Sequence, residues 1–188
     1  MPAPHPPAGA TGDPAVGPVG APPAEAAPPL LRDPVPPGLP QSVLFCCDHN
    51  AVRSPMAEGL MKRLYGTSVY VQSAGVKSDL DVDGFAVAVC RELGVELARH
   101  RVRSFEQMKH LGDDLSAFDL IVALSPASLR QALELTRLYH LRVEYWPVLD
   151  PTGLGETREE KLSAYRQTRD QLHSRMLRRF GPQQPATP

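Results

Sequence analysis

Short apolar runs alternate with segments of helical periodicity along most of the chain, and this alternation restricts the possible folds more than any other feature. Four runs lack a helical period and predict strands at 43–47, 69–72, 118–124 and 142–148. Strands that alternate with helices pair in parallel and are covered by helices on both faces. The sequence therefore predicts an α/β three-layer sandwich whose ligand site lies at the carboxyl ends of the strands.

Capping residues mark the helices between these strands. Serine caps a first turn, proline fits the first helical position, and a capping box opens a helix. These signals occur at Ser54-Pro55, Ser125-Pro126 and Thr157 with Glu160. One more helix is predicted from apolar residues at helical spacing, namely Val82, Ala86, Val89 and Leu93.

Proline divides the chain into two parts of different composition. Of the 21 prolines, 14 lie in residues 1–40, where they fix φ and remove hydrogen-bond donors. We expect this segment to be a disordered tail with local polyproline-II structure. A ligand for a proline-binding module, with an unknown partner, is the alternative. The predicted organisation is completed by one domain at 42–180 and a frayed tail at 181–188.

Charge and cysteine content exclude several classes of protein. The net charge is -1, and residues 42–180 carry 19 basic and 18 acidic side chains, so no global basic field would bind nucleic acid or a membrane. Three cysteines without a Cys-x-x-Cys pair predict neither a disulfide framework nor structural zinc. Residues 1–40 have no basic start and no sustained apolar region, so we do not expect a secretory signal, and no run in the sequence approaches the ~18 apolar residues of a membrane span. We therefore expect a cytoplasmic protein without a metal or cofactor.

The loop after the first predicted strand carries the chemistry. Cys47 ends the strand, Arg53 follows, and Ser54 opens a helix; between them lie Asp48, His49, Asn50, Ala51 and Val52. Such a loop can curl its N–H groups around a tetrahedral anion, and the helix N-terminus adds positive charge. Arginine can hold two anion oxygens, and these surroundings favour the nucleophilic thiolate. The alternative is a buried cysteine beside an arginine in an ordinary surface loop.

This segment resembles the active-site loop of the low-molecular-weight protein tyrosine phosphatases, a fold shared with thioredoxin-coupled arsenate reductases. The matching residues are Cys47, Asn50, Arg53, Ser54, Pro55, Met56, Ala57 and Glu58. Further matches within 42–180 include Ser73-Ala74-Gly75, His100 with Arg103-Ser104, and Asp150-Pro151. The resemblance implies a four-stranded parallel sheet of order 2-1-3-4, no metal, and a phosphocysteine intermediate.

The resemblance also implies roles for individual residues. Cys47 would be the nucleophile, and Arg53 would bind the phosphate and the transition state. Ser54 would hydrogen-bond the thiolate as well as cap the helix, and Asn50 would hold the loop because it tolerates left-handed φ. Asp150 would be the general acid, with a plain turn aspartate as the alternative. Phosphorylated protein is the partner that these roles imply.

Several loop positions depart from the family pattern. Val52 replaces a second loop cysteine, so the usual disulfide protection of the nucleophile is missing. Asp48 would edge the site if it pointed outward and would repel a dianion if it pointed inward, and His49 could partly neutralise it. We interpret Glu58 as a solvated charge in the first turn of the helix. Cys46 and Cys90 are interpreted as core residues.

Two further departures bear on the activity. Arsenate reduction in this fold needs two cysteines after the third strand, where this chain has Ser125 and no cysteine. Phosphatases of the family often carry an aspartate there and aromatic residues after the general acid, where this chain has Thr152. The sequence predicts a phosphatase that acts on phosphorylated protein, with phosphotyrosine as the expected substrate. Arsenate reductase and a non-catalytic phosphate- or phosphoprotein-binding module are the alternatives.

The tail prediction is tested by deleting residues 1–40. The segment has no amphipathic face and enters no predicted element, so melting temperature and aryl-phosphatase rate should stay nearly unchanged. Calorimetry and a steady-state assay on the two proteins measure both quantities. A large loss of either would show that the tail packs on the domain.

Overall fold

The computed structural model describes residues 38–182, and within them four strands form one parallel sheet. The strands are β1 (Ser42–Cys47), β2 (Tyr70–Gly75), β3 (Leu120–Ala123) and β4 (Arg142–Tyr145). Their spatial order is β2-β1-β3-β4. The predicted sheet order and fold class are therefore confirmed.

Five α-helices accompany the sheet in the described residues. They are α1 (Arg53–Tyr65), α2 (Gly84–Arg91), α3 (Phe105–His110), α4 (Pro126–Thr136) and α5 (Arg158–Phe180). Short 3₁₀ turns occupy Gly66–Ser68 and Leu115–Ala117. None of the helices within 38–182 is long and apolar enough to cross a membrane.

Alternate residues of β1 point to two separate cores, one on each face of the sheet. Phe45 and Cys47 belong to the core that α1, α2 and α5 cover. Leu44 and Cys46 belong to the core that α3 and α4 cover. Because strand side chains alternate between faces, a strand buried on both faces needs apolar residues at successive positions, which explains the apolar run from Val43 to Cys47.

The helix starts agree with the predicted signals at two places and differ at a third. Ser125 and Thr157 cap α4 and α5, each in a capping box. The predicted cap at Ser54 is wrong: α1 begins at Arg53, its N-cap is Val52, and no side chain caps it. Pro55, predicted at the first helical position, is the third residue of α1 and is tolerated there because the first four N–H groups of any helix lack intrahelical partners.

The remaining differences concern boundaries and one missed helix. Val82 and Leu93 were predicted to lie in a helix but flank α2. Helix α3 is the missed helix, although Ser104 and Gln107 form a capping box at its start. The predicted tail at 1–40 falls outside the described residues except for its last three positions. The predicted frayed end at 181–188 lies outside them from residue 183 onward.

A glycine substitution tests how tightly β2 packs against the loop after β1. A Cβ atom at Gly75 would lie 2.0 Å from the carbonyl oxygen of Lys77 and 2.8 Å from the backbone nitrogen of Asn50. Gly75→Ala should therefore lower the free energy of unfolding by about 1–3 kcal/mol or more, measured by urea unfolding. Gly84→Ala is the matched control, because a Cβ atom there meets nothing within 4 Å. Equal stability of the two variants would contradict this packing.

Candidate active site

The Cys47 loop (residues 47–53) joins β1 to α1. The β2–α2 segment (residues 76–83) lies along its outer side and hydrogen-bonds to it. Backbone N–H groups of this segment donate to four loop carbonyls: Val76 to Cys47 at 3.0 Å, Lys77 to Asp48 at 2.8 Å, Asp79 to His49 at 3.2 Å and Asp83 to Ala51 at 3.0 Å. The two groups of a trans peptide unit point in opposite directions. The N–H groups that follow these carbonyls therefore point into the space that the loop encloses.

Asn50 holds the Cys47 loop from within. It is fully buried and has φ 54°, in the left-handed region that asparagine tolerates, as predicted. Its Nδ2 donates to Ser54 Oγ at 2.9 Å and to Ser73 Oγ at 2.8 Å. Its Oδ1 accepts from the N–H of Arg103 at 2.9 Å. Because a buried amide must be satisfied, these bonds couple the loop conformation to β2 and to the start of α3.

The hydroxyl of Ser54 lies beside the thiol of Cys47. Its Oγ is 3.0 Å from Cys47 Sγ and 3.2 Å from the carbonyl oxygen of Ala74. Since Oγ accepts from Asn50, its own proton is available to the sulfur or to that carbonyl. The structure thus places Ser54 where it can donate to a thiolate, which the resemblance implied, and not where it would cap α1.

Glu58 lies in a buried polar cluster behind the loop, so the prediction of a solvated charge is wrong. It is 5% exposed, and its carboxylate accepts from Ser73 Oγ at 2.7 Å and also pairs with Lys62. His100 Nδ1 lies 3.6 Å away. Burial lowers the pKa of His100, and the carboxylate of Glu58 opposes this shift. The face of α1 that carries Glu58 packs on β2, which removes the side chain from water.

Arg53 spans the carboxyl ends of three strands. The residue is 5% exposed, and its Nη1 donates to the carbonyls of Leu124, after β3, at 3.5 Å and Val148, after β4, at 3.4 Å. Its Nη2 donates to the carboxylates of Asp48 and Asp150, the latter at 2.7 Å. These contacts fix the guanidinium plane at the mouth of the Cys47 loop.

Asp150 reaches this guanidinium from a position 97 residues further along the chain. Its Oδ1 accepts from the backbone N–H of Thr152 at 3.0 Å and from the Thr152 hydroxyl at 2.6 Å. The loop is bound to α5, since the hydroxyl of Thr168 donates to the carbonyl of Leu149 at 3.2 Å. The structure therefore brings Asp150 to the same site as the Cys47 loop.

The structure decides between the two orientations considered for Asp48. Its carboxylate points inward, where Oδ2 accepts from Arg53 and Oδ1 accepts from the hydroxyl of Ser125 at 2.9 Å. His49 does not neutralise it, because His49 pairs with Asp79 instead, at 3.0 Å between Nδ1 and Oδ1. Ala51 and Val52 are buried in the core beneath the loop.

The other two cysteines are core residues, as predicted. Cys46 and Cys90 have no exposed surface, and all three cysteines of the chain are free thiols. Burial raises the pKa of Cys90 to about 12 and raises the pKa of Cys46 well above its usual range. Cys46 also points to the opposite face of the sheet from Cys47. Neither thiol is placed to react with a ligand of the loop.

The site thus gathers a thiol, a guanidinium, inward N–H groups and a carboxylate around one space. This set of groups can bind a tetrahedral oxyanion and present a nucleophile to its central atom. Within residues 38–182, no cluster of three or more His, Cys, Asp and Glu side chains is arranged to hold a metal ion.

The sequence did not predict three of the residues that shape the site. Ser73, His100 and Ser125 come from β2, the approach to α3 and the cap of α4. No fixed spacing connects them with the Cys47 loop, so periodicity and motif length carry no signal for them. The matches at Ser73-Ala74-Gly75 and at His100 were the only indication of the first two.

A family model matches the chain over residues 42–180, and its description is low molecular weight phosphotyrosine protein phosphatase. An arsenate reductase from Bacillus subtilis (strain 168) is 28% identical over 134 residues, which is 71% of this chain and 91% of that protein.

Solved structures show the same similarity. The arginine phosphatase YwlE from Geobacillus stearothermophilus is 27% identical, with a TM-score of 0.56 over 72% of this chain and 87% of that one. A low molecular weight protein tyrosine phosphatase from T. tengcongensis is also 27% identical, with a TM-score of 0.53 over 71% of this chain and 93% of that one.

Thiol alkylation tests the assignment of the three cysteines. Iodoacetamide should modify the folded protein at Cys47 alone, because Cys46 and Cys90 have no exposed surface and burial raises the pKa of both, whereas Cys47, although only 2% exposed, lies at the base of the loop. Inorganic phosphate should slow the reaction by occupying the loop. Peptide mass spectrometry locates the label, which Cys47→Ser should abolish and Cys90→Ala should leave in place. Label on Cys46 or Cys90 in folded protein would contradict this assignment.

Proposed function

Since this chain belongs to the low molecular weight phosphotyrosine protein phosphatase family, we propose that it is a phosphatase that dephosphorylates protein, with phosphotyrosine as its substrate. The observation that carries the proposal is the Cys47 loop, which has Cys47 at its base, Arg53 at its end and N–H groups turned inward. These groups surround the position that one phosphoryl group would fill.

The first chemical step transfers the phosphoryl group to sulfur. The Cys47 thiolate attacks phosphorus, the bond to the leaving oxygen breaks, and Asp150 gives that oxygen a proton. The inward N–H groups and Arg53 stabilise the charge on the equatorial oxygens of the transition state. Support for this step comes from the contact of Asp150 with the same guanidinium that would bind the phosphoryl group.

Asp150 must carry a proton to act as the acid, although it is ion-paired with Arg53 without substrate. A bound phosphoryl group competes for the guanidinium of Arg53, so the attraction between Asp150 and that cation is weakened. The same phosphoryl group places negative charge beside the carboxyl. Both changes favour the protonated form, which means that substrate binding itself prepares the acid.

The second step hydrolyses the phosphocysteine. Asp150, now ionised, takes a proton from water, the water oxygen attacks phosphorus, and the sulfur leaves as a thiolate. Ser54 Oγ, 3.0 Å from Sγ, can donate to that thiolate and so improve it as a leaving group. Phosphate then leaves, and the enzyme returns to its starting state without an external reductant.

Arsenate reductase is the second candidate, and the names of the curated relatives favour it. The cysteine positions argue against it. The two further thiols expected after β3 are missing, since Leu124 and Ser125 follow that strand. Cys46 and Cys90, which are the other thiols of the chain, are fully buried.

Three assays on purified protein separate the candidate functions. Phosphate release from an aryl phosphate supports the phosphatase, and thiol-dependent arsenite formation supports the reductase. Saturable phosphate binding without turnover supports a binding module. Because the arginine phosphatase YwlE is similar in structure, a phosphoarginine peptide is assayed beside the phosphotyrosine peptide.

Substitutions test the division of labour at the site. Cys47→Ser should abolish turnover but retain phosphate binding, because Arg53 and the loop N–H groups remain. Asp150→Asn should slow phenyl phosphate hydrolysis by roughly 10²-fold or more, through loss of the proton donor. With a more acidic phenol as leaving group, the loss in kcat should be much smaller, because that oxygen departs as an anion.

Steady-state rates on the two aryl phosphates provide the measurement. Normal turnover by Cys47→Ser would refute the phosphocysteine mechanism. Equal slowing of both substrates in Asp150→Asn would assign Asp150 a structural role and leave the mechanism without its proton donor.

A further inference from the structure

Asp48 contacts Arg53 in a way that the proposed mechanism does not use. Its Oδ2 accepts from Nη2 of Arg53, and its Oδ1 accepts from the hydroxyl of Ser125 at 2.9 Å. The side chain is 32% exposed, so it lies at the mouth of the Cys47 loop and not beneath it. A carboxylate thus occupies the position where a phosphate-binding arginine meets its ligand.

Most N–H donors of Arg53 already have acceptors, so a substrate must displace a carboxylate from its guanidinium. The guanidinium has five N–H groups. Two on Nη1 face the carbonyls of Leu124 and Val148, and two on Nη2 face Asp48 and Asp150. Bidentate binding of a phosphoryl group uses two parallel N–H groups on different nitrogens. With Nη1 committed to backbone carbonyls, the phosphoryl group needs Nε and one of the Nη2 protons that the carboxylates hold.

Displacement does not remove Asp48 from the site. The hydroxyl of Ser125 still holds its Oδ1, and Ser125 is itself fixed as the cap of α4. The carboxylate therefore stays beside the incoming phosphoryl group. Two aspartates face one arginine, so these three side chains carry more negative than positive formal charge before substrate enters. A phosphoryl dianion on a neutral or acidic substrate is repelled there.

We propose that Asp48 is a specificity-determining residue that selects substrates carrying a cationic group beside the phosphoryl group. When the phosphoryl group takes Nη2 of Arg53, the freed carboxylate of Asp48 pairs with that cation. This inference rests on the proposed phosphatase function and names its substrate class. The cation is a lysine or arginine next to the phosphotyrosine, and a guanidinium that itself bears the phosphoryl group is an outcome that the second measurement distinguishes.

The first measurement concerns phosphate affinity and does not depend on turnover. In a Cys47→Ala background, which holds the ligand uncleaved, Asp48→Asn should bind inorganic phosphate roughly tenfold more tightly, because one like charge near the anion is removed. The amide still accepts from Ser125. Asp79→Asn is the matched control: the same charge is removed from an exposed aspartate that pairs with His49 and does not contact Arg53. Titration calorimetry gives the three dissociation constants.

The second measurement concerns the substrate class. In the Cys47→Ala background, a phosphotyrosine peptide with lysine neighbours should bind at least roughly tenfold more tightly than one with glutamate neighbours. Asp48→Asn should remove most of that preference, and Asp79→Asn should keep it. A phosphoarginine peptide with neutral neighbours, compared with the matching phosphotyrosine peptide, shows whether the phosphorylated group itself supplies the cation.

The inference is overturned by unchanged phosphate affinity in Asp48→Asn, by an equal gain in Asp79→Asn, or by a preference that survives Asp48→Asn. Weaker phosphate binding in Asp48→Asn would also overturn it, since Asp48 would then serve to position Arg53. Turnover by the protein with Cys47 intact is measured separately. Absence of turnover with the binding preference intact would refute the phosphatase function and leave the assignment of Asp48 standing.

Discussion

The outward bonding of the Cys47 loop carbonyls is the interaction on which the site depends. N–H groups of the β2–α2 segment hold the carbonyls of Cys47, Asp48, His49 and Ala51. A peptide unit cannot turn its carbonyl outward without turning its N–H inward. The proposed anion-binding surface is therefore produced by backbone packing between two neighbouring strand ends. It depends on the side chains of the loop only through the conformations that they permit, above all the left-handed φ of Asn50.

A buried polar cluster carries this constraint from the loop to the rest of the fold. Asn50 joins Ser54 and Ser73, and Ser73 joins Glu58. Each group is removed from water, so a missing partner would leave an unsatisfied polar atom at a cost of about 1–3 kcal/mol. The cluster thus stabilises one loop conformation, because other conformations would leave buried polar atoms without hydrogen-bond partners. The thiol of Cys47 receives its hydroxyl neighbour, Ser54, from the same cluster.

Arg53 is the residue at which the proposed binding and catalytic roles meet. Backbone carbonyls after β3 and β4 hold one side of its guanidinium, and two carboxylates hold the other. A rigid guanidinium loses little conformational freedom when it binds an anion. The carboxylates of Asp48 and Asp150 also compete with an incoming anion for the guanidinium. A phosphoryl group must therefore bring enough binding energy, or the right neighbouring charge, to displace one of them.

The features that depend on neighbouring residues could be predicted from the sequence: the alternation of strands and helices, the caps at Ser125 and Thr157, and the short loop from Cys47 to Arg53. The burial of Glu58 and the inward orientation of Asp48 became evident only in the folded protein. Local patterns report backbone propensity and amphipathic faces, which act over a few residues. The environment of a charged side chain is set by whichever distant elements pack against it, and these have no fixed spacing along the chain.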